Sequence, residues 1–438
     1  MRTKPSNQPG SSSSRLGKPL VVKHTPPPPP PPPCSASLLD NKQALLCCLL
    51  CSAPPPPPSS SCGWAILGAI PRVSAAADEE CCSLDLAPPP RVSILTIPKH
   101  VFPSEVTPRN YPRLLAADPS GLLLLHADQG RATSPTVIHQ SFCWREFVAG
   151  YFVLQIDDAS ASASALPLPE PELIMNAGHV GIIASPDNTG SYMVAELQPF
   201  LGDDHATLLC FSSDKVLALH GRLWWVDLSW CIVACDPFAR DPDLAVVPLP
   251  PAKALPYGQA AGVLDRYRHV AISKAKLRFV DMYRNRDPDT GALQVTVWTL
   301  LSTDDDSTDI WHLDHQASFH DIWDHPTYKA AGLPTKIPVL ALIHPDNPAV
   351  VYFFLHDHLF AVDLRDRAVV ACDLYHLVDP PKDLVSTRFV HAWNLPPPKP
   401  LLLSPSSPAP APAPAGMAKE GTDSGPNDVG ATASVDIY

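Results

Sequence analysis

One stretch of 21 residues, Val216–Asp236, limits the possible folds most strongly. Its apolar runs, separated by turn residues, predict three antiparallel strands at Val216–Leu219, Leu223–Asp227 and Trp230–Cys235. Both faces of the middle strand carry apolar or aromatic side chains, which indicates burial on both faces. Antiparallel strands buried in this way are typical of stacked sheets, as in a sandwich or a propeller.

The central phrase of this stretch recurs along the chain. Four similar phrases lie at Tyr192–Leu197, Leu223–Leu228, Leu277–Met282 and Leu359–Leu364. The match between the second and the fourth extends to Val233–Asp236 and Val370–Asp373. Asp227 and Asp363 are 136 residues apart, so three repeats of about 45 residues would fill the interval, which is the length of one four-stranded propeller blade. The alternative is chance reuse of similar hairpins. We interpret the pattern as an all-β chain of antiparallel meanders, an irregular β-propeller of six or seven blades.

Five residues of these phrases are expected to have a structural role in the repeat: Trp224, Trp225, Asp227, Asp281 and Asp363. The two tryptophans are expected in the core, although they could instead form a ligand platform. Each aspartate ends a predicted strand before a turn, where its carboxylate can accept hydrogen bonds from turn amides. The alternative reading is a set of paired catalytic carboxylates.

Proline marks the two ends of the chain. Many of the 55 prolines crowd into residues 26–58 and 396–414. We therefore predict three segments: a disordered tail over 1–61, a propeller-like domain over 62–395 and a second disordered tail over 396–438. Polyproline could also dock into an aromatic groove of a partner protein.

Charge and cysteine usage limit the partners and the compartment. The chain has 32 basic and 44 acidic residues, a net charge of −12, so nucleic-acid binding is not expected. Cys210, Cys231, Cys235 and Cys372 lie in or near apolar strands, which is typical of reduced, buried thiols in an intracellular protein. Because the sequence has neither a secretory signal nor a long apolar run, we expect the cytoplasm or the nucleus and no membrane span.

A cluster of histidines and aspartates over residues 312–325 is the richest candidate for chemistry. His312, Asp314, His315 and His320 are candidate metal ligands, since imidazole and carboxylate both bind zinc or iron. Their spacing fits no zinc signature, and the alternative is a solvated loop. We found no nucleophile elbow and no phosphate-binding loop. The sequence therefore predicts no catalytic residue and no cofactor.

Several phrases together resemble a known family. They are Tyr192–Gln198, His220–Trp230, Cys235–Phe238, Leu277–Asp281, Val295–Leu300, Ile343–Pro348 and Val351–Phe354. They are similar to a plant family, expanded in grasses, that is catalogued as domain of unknown function 1618, and the resemblance spans residues 62–395. The family resembles the propeller domains that follow F-boxes, although no F-box is found in this chain. The resemblance implies a propeller and an adaptor role, and it implies no activity or site residue.

Two functions remain open from the sequence. The first is a non-catalytic scaffold or adaptor that binds a protein partner through a closed β framework. The alternative is a metal-dependent or hydrolytic enzyme that uses the histidine and aspartate cluster.

Overall fold

Short β-strands joined by tight turns form nearly all of the regular structure. A computed structural model describes residues 22–25 (backbone only), 63–76, 80–107, 110–130, 148–156, 162–169, 174, 176–186, 191–198, 211–256, 259–260, 262–301, 310–375 and 390–396. The strands are β1 (Val22–Thr25), β2 (Trp64–Gly68), β3 (Arg72–Val73), β4 (Cys82–Asp85), β5 (Val92–Ile97), β6 (Arg113–Ala117), β7 (Leu122–His126), β8 (Tyr151–Gln155), β9 (Ser162–Ala163), β10 (Ala165–Pro167), β11 (Val180–Ala184), β12 (Tyr192–Glu196), β13 (Lys215–Leu219), β14 (Arg222–Val226), β15 (Cys231–Cys235), β16 (Ala245–Pro248), β17 (Arg268–Ser273), β18 (Lys276–Asp281), β19 (Gln294–Leu300), β20 (Trp311–Ser318), β21 (Val339–Ile343), β22 (Val350–Leu355), β23 (His358–Asp363), β24 (Ala368–Leu374) and β25 (Val390–Asn394). Two short helices, α1 (Phe319–Asp324) and α2 (Pro326–Ala330), follow β20.

The central stretch forms the meander that its sequence predicts. Strand β14 pairs with β13 on one side and β15 on the other, and β16 extends the sheet on the far side of β15. The turn between β13 and β14 is made by His220 and Gly221, which both have positive φ angles of 52° and 72°. Two consecutive positive φ angles match the right-handed twist of a hairpin, which explains the glycine at this turn.

Six sheets contain these strands. Four are four-stranded: β6–β7–β8–β10, β13–β14–β15–β16, β17–β18–β19–β20 and β21–β22–β23–β24. A larger sheet has the order β25–β2–β5–β4–β9, with β3 paired to β5, and a three-stranded sheet has the order β1–β12–β11. Strand β2 pairs antiparallel with β25, so a single sheet joins the beginning and the end of the folded region.

Apolar side chains fill the spaces between consecutive sheets. Six of the seven clusters each combine residues of two neighbouring sheets, and one of these six joins the sheet of β21–β24 to the sheet that contains β2 and β25. For example, Trp225 of β14 packs with Met193 of β12, whereas Trp224 of the same strand packs with Phe279 of β18. Because opposite faces of one strand serve two interfaces, the sheets pack as the blades of a propeller.

The all-β class and the propeller arrangement are thus confirmed, whereas the blade count differs from the prediction. Five sheets have the four or more strands of a full blade, where six or seven blades were expected, and the sixth sheet is one strand shorter. Strand β1 is a second difference, because Val22–Thr25 pairs with β12 although residues 1–61 were predicted to be disordered. The rest of that segment, and residues 397–438, lie outside the described residues.

Candidate functional site

The predicted metal ligands are divided between strand β20 and helix α1. Asp314 of β20 is engaged by the hydroxyl of Thr299 on the adjacent strand β19 and by the guanidinium of Arg278 on β18, one strand farther in. His312 lies 3.8 Å from Asp314 (Nε2 to Oδ1), and its side chain points mostly into solvent. The Asp314 carboxylate therefore pairs with the buried side chain of Arg278, and its contacts lie within the sheet.

The other two histidines of the cluster lie apart from this pair. His315 is half-buried, and burial is the main cause that lowers its pKa. His320 begins the exposed face of α1, where its Nδ1 lies 3.2 Å from Asp324 Oδ2 one turn later. Among the described residues, no group of three or more histidine, cysteine or acidic side chains is placed to hold a metal ion.

The repeated aspartates share one local geometry. Asp227, Asp281 and Asp363 each accept a hydrogen bond from the backbone N–H two residues later, at 2.7, 3.0 and 2.9 Å. Their positions in the blades nevertheless differ, because the first two follow or end the second strand of a sheet, whereas Asp363 ends the third strand. Glu196 also ends a second strand and is buried. The similar phrases therefore mark a buried strand followed by a turn, and not one fixed place in a blade.

Asp281 also forms the centre of a buried ionic group. Arg268 Nε donates to Asp281 Oδ1 at 3.0 Å, and Lys253 Nζ lies 2.8 Å from Asp281 Oδ2. Arg268 Nη1 donates to the backbone oxygen of Leu228, 2.8 Å away in the preceding sheet. Buried charges are tolerated when they are paired and hydrogen-bonded. This group therefore links two sheets and has little capacity left for a ligand.

The two predicted core tryptophans are buried and hydrogen-bonded. Trp225 Nε1 donates to the backbone oxygen of His179 at 2.7 Å, and Trp224 Nε1 donates to that of Leu219 at 3.2 Å. The first bond crosses from one sheet to the next. Neither ring offers an open face to a ligand, because each lies in an apolar cluster between sheets.

The prediction of buried thiols holds for two of the three predicted cysteines that the structure describes. Cys231 and Cys235 are free and buried, and burial raises their pKa to about 12 and about 11. Cys372 is also a free thiol, but it is exposed, which differs from the prediction. Cys210 lies outside the described residues.

The outermost strand β24 is the feature that sequence reasoning missed. Val370 and Leu374 are 56% and 50% exposed, Cys372 between them is also exposed, and the residues that alternate with them are half-buried. In the sequence, the apolar residues of this strand match those of β15, which lies inside its sheet and is buried. The match therefore predicts burial, and the sequence shows the exposure only as every second residue of an apolar strand.

Comparisons with known proteins match one stretch of the chain to a family model. No curated protein matches the chain. Within the described residues, no helix combines the length and the apolar character needed to cross a membrane. Residues 225–352, which run from Trp225 in β14 to Tyr352 in β22, match the model of a family described as "Protein of unknown function (DUF1618)", and the resemblance based on the tryptophan phrase is thereby confirmed for this stretch.

Proposed function

We propose that this protein is a non-catalytic scaffold that binds an extended, apolar segment of a partner protein along the outer edge of β24. The exposed apolar residues Val370, Cys372 and Leu374 carry the proposal. An open strand edge presents unpaired backbone groups, and a partner segment can add to it as a further strand. Because apolar side chains are exposed at alternate positions of β24, a partner segment that adds to this edge would also cover apolar surface.

The other outermost strands have features that discourage strand addition. Strands β10 and β16 end in Pro167 and Pro248, and β9 has only two residues. Strand β20 has eight residues, one more than β24, but it carries His312, Asp314 and His315. Short edges, prolines and charged residues are the devices by which proteins protect sheet edges. Strand β24 has seven residues and an apolar exposed side, and it differs from these strands in this respect, although its pairing with β23 is irregular at Val370.

The open part of the β24 edge is four residues long. At its beginning, Thr327 of α2 accepts a hydrogen bond from the Val369 N–H at 2.8 Å. At its end, the Asp373 carboxylate accepts one from the Leu374 N–H at 2.8 Å. The same molecule shows strand addition of this length, since β1 pairs with the edge of β12 through four residue pairs although it lies far away in the sequence.

The test is affinity purification from plant tissue with the full chain and two variants. In the first variant, Val370→Lys and Leu374→Lys place charges on the β24 edge. In the matched control, Val246→Lys places a charge on β16, another outermost strand, where Val246 is 41% exposed. Since all three positions are exposed, both variants should fold, which circular dichroism checks.

We expect a protein that co-purifies equally with the wild type and the β16 control, and at least about tenfold less with the β24 variant, since a charge on an apolar contact is strongly unfavourable. Equal recovery with all three proteins would place docking elsewhere. If the wild type retains no partner at all, the scaffold proposal is wrong.

Three finer points belong to the same proposal. We propose that the three-stranded sheet acts as a sixth blade, which the apolar clusters on both of its faces support. We propose that the protein works in the plant cytoplasm or nucleus, which the free thiols of the described cysteines support. The divided positions of His312, Asp314 and His320 favour the scaffold over the metal-dependent alternative.

A further inference from the structure

The third strand of the sheet β11–β12–β1 comes from a distant part of the chain. Each of the six sheets has an inner strand, and these strands, β6, β11, β13, β17, β21 and β25, contact one another around the axis of the propeller. Counted outward from the axis, β12 is the second strand of its sheet and β1 is the third. In the four-stranded sheets the third strand directly follows the second along the chain, whereas β1 lies far before β12.

The lengths of the connecting segments explain this difference. In each four-stranded sheet, at least 34 residues lie between the second strand and the inner strand of the next sheet, and they include the third and fourth strands. The shortest of these intervals is 356–389. Between β12 and β13 there are only 18 residues, 197–214. The chain that follows β12 is thus much shorter than in the other sheets, and a strand from outside this interval takes the third place.

Apolar surfaces of two neighbouring sheets flank the third place beside β12. Val194 of β12 shares an apolar cluster with Val153 of β8, the third strand of the preceding sheet. Met193, on the opposite face of β12, shares another cluster with Val233 of β15, the third strand of the following sheet. All four side chains are at most 5% exposed. A segment in the third place beside β12 therefore lies between two apolar sheets.

The sequence of β1 suits this place poorly. The third strands of the neighbouring sheets are mainly apolar, since β8 reads Tyr-Phe-Val-Leu-Gln and β15 reads Cys-Ile-Val-Ala-Cys. Strand β1 reads Val-Lys-His-Thr, so only one of its four residues is apolar. Pro26 follows β1 directly, and proline has no N–H with which to extend the pairing. Because burial of apolar side chains drives such packing, a more apolar segment would bind beside β12 more strongly than β1 does.

We propose that β1 is a replaceable strand, and that an extended segment of a partner protein, apolar on both faces, displaces it from the edge of β12. The backbone of β12 provides hydrogen bonds to this segment, as it does to β1 through four residue pairs. The N-terminal segment of the chain is then a competitor that covers the edge until such a partner binds. This inference goes beyond docking at β24, because it concerns another strand in another sheet.

The probe is a synthetic peptide of residues 150–156, which contain β8, with lysines added at both ends for solubility. A fluorescent label reports its binding to the full chain by anisotropy. In the control peptide, Val153→Pro removes an N–H that strand pairing requires. The probe thus has the composition of a third strand, and the control peptide differs from it at one residue.

Three variants of the full chain change the competing strand. Lys23→Pro disrupts the pairing of β1 with β12, and Lys23→Ile combined with His24→Ile makes β1 more apolar. Lys18→Pro is the matched control, because it introduces the same residue outside β1. Circular dichroism checks the folding of each variant.

We expect saturable binding of the probe to the wild type, and none of the control peptide. The Lys23→Pro variant should bind the probe at least about tenfold more tightly and the isoleucine variant at least about tenfold more weakly, since a competing strand reduces the fraction of molecules with an open edge. The Lys18→Pro control should match the wild type. On addition of the probe to the wild type, hydrogen exchange at Val22–Thr25 should accelerate, because β1 is released.

Equal affinities of the wild type, the Lys23→Pro variant and the isoleucine variant, or no saturable binding to any of them, would overturn the proposal. The variant with Val370→Lys and Leu374→Lys should bind the probe as the wild type does. Loss of binding in that variant would place the probe on β24 and would also overturn the proposal. Because partner recovery with the β24 variant and probe affinity are measured separately, a failure of the scaffold proposal and a failure of this one can be told apart.

Discussion

The inner strand β17 and the outermost strand β24 leave different kinds of groups unsatisfied. In β17, the imidazole of His269 is buried, and its Nδ1 has no hydrogen-bond partner among the described residues. In β24, Val370 and Leu374 expose apolar surface at the last strand of their sheet. The inner strand therefore carries an uncompensated polar atom, whereas the outer strand carries uncovered apolar surface.

Asp281 and Asp363 occupy the same position in two similar sequence phrases, but their surroundings in the structure differ. Asp281 is completely buried beside Arg268, toward the inner side of its sheet. Asp363 is on the third strand and pairs with Arg365, whose side chain is 57% exposed. Identical turns are thus supported by buried charges near the axis and by solvated charges farther out.

The largest predicted effect is that of Asp281→Ala. This change leaves the buried guanidinium of Arg268 without its counter-charge, so the free energy of unfolding should fall by about 3–5 kcal/mol. Asp363→Ala is the matched control and should cost no more than about 1 kcal/mol, the value of an ordinary hydrogen bond. Urea unfolding of both variants measures the difference. Equal losses would show that the two regions do not differ in this way.

The rate of thiol modification should also differ between the exposed strand β24 and the buried strand β15. Cys372 is exposed, whereas Cys231 and Cys235 are buried with a pKa of about 12 and about 11. Because the thiolate is the reactive form, a maleimide should modify Cys372 at least roughly a hundred times faster. Peptide mass spectrometry after timed labelling of the native protein gives the rates. Similar rates would contradict the buried position of β15.

His269→Leu tests whether the buried imidazole stabilises the fold. The substitution removes a buried nitrogen that has no partner among the described residues, so the free energy of unfolding should stay the same or rise by about 1 kcal/mol. Urea unfolding of the variant and the wild type measures the difference. A loss of stability of more than about 1 kcal/mol would show that the imidazole has a structural partner.

The smallest predicted effect is the pH dependence of the stability that Asp363 contributes. The hydrogen bonds from Arg365 hold the pKa of Asp363 below its ordinary value. A carboxylate whose pKa is lower in the folded state stabilises the protein above the pKa of the unfolded chain, about 3.9. The stability difference between the wild type and Asp363→Asn should therefore be complete at pH 6 and disappear as the pH falls through the lower, folded-state pKa. A difference independent of pH would contradict the role of this pair.

The sequence predicts local structure well because apolar alternation and turn residues are local signals. The strands around Trp224 and Trp225 and the turn at Gly221 are of this kind. The position of a strand within its blade is not local, since a buried strand before a turn has the same pattern as a second or a third strand. For this reason Asp363 resembled Asp227 in the sequence although the two lie on different strands of their blades.

Contacts between distant parts of the chain are not contained in any local pattern. Leu114 and His391 are 277 positions apart in the sequence, and only closure of the ring through β2 and β25 brings Leu114 O within 3.2 Å of His391 Nε2. The exposure of Cys372 depends on β24 being the last strand of its sheet, which its apolar composition conceals. The change from strand β20 to helix α1, in contrast, separates His320 from the candidate ligands His312, Asp314 and His315, which the sequence places within a few residues of it.

The central claim is that β24 receives a partner segment, and photo-crosslinking tests it most directly. The photo-crosslinking amino acid p-benzoylphenylalanine replaces Cys372 in the full chain, and in a control protein it replaces Val246 of β16, so that each protein carries one crosslinking group. After incubation in plant extract and illumination, mass spectrometry identifies the crosslinked partner and the attachment site. The account predicts a crosslinked protein from position 372 and none from position 246. Crosslinking from both positions alike, or from position 246 alone, would contradict it.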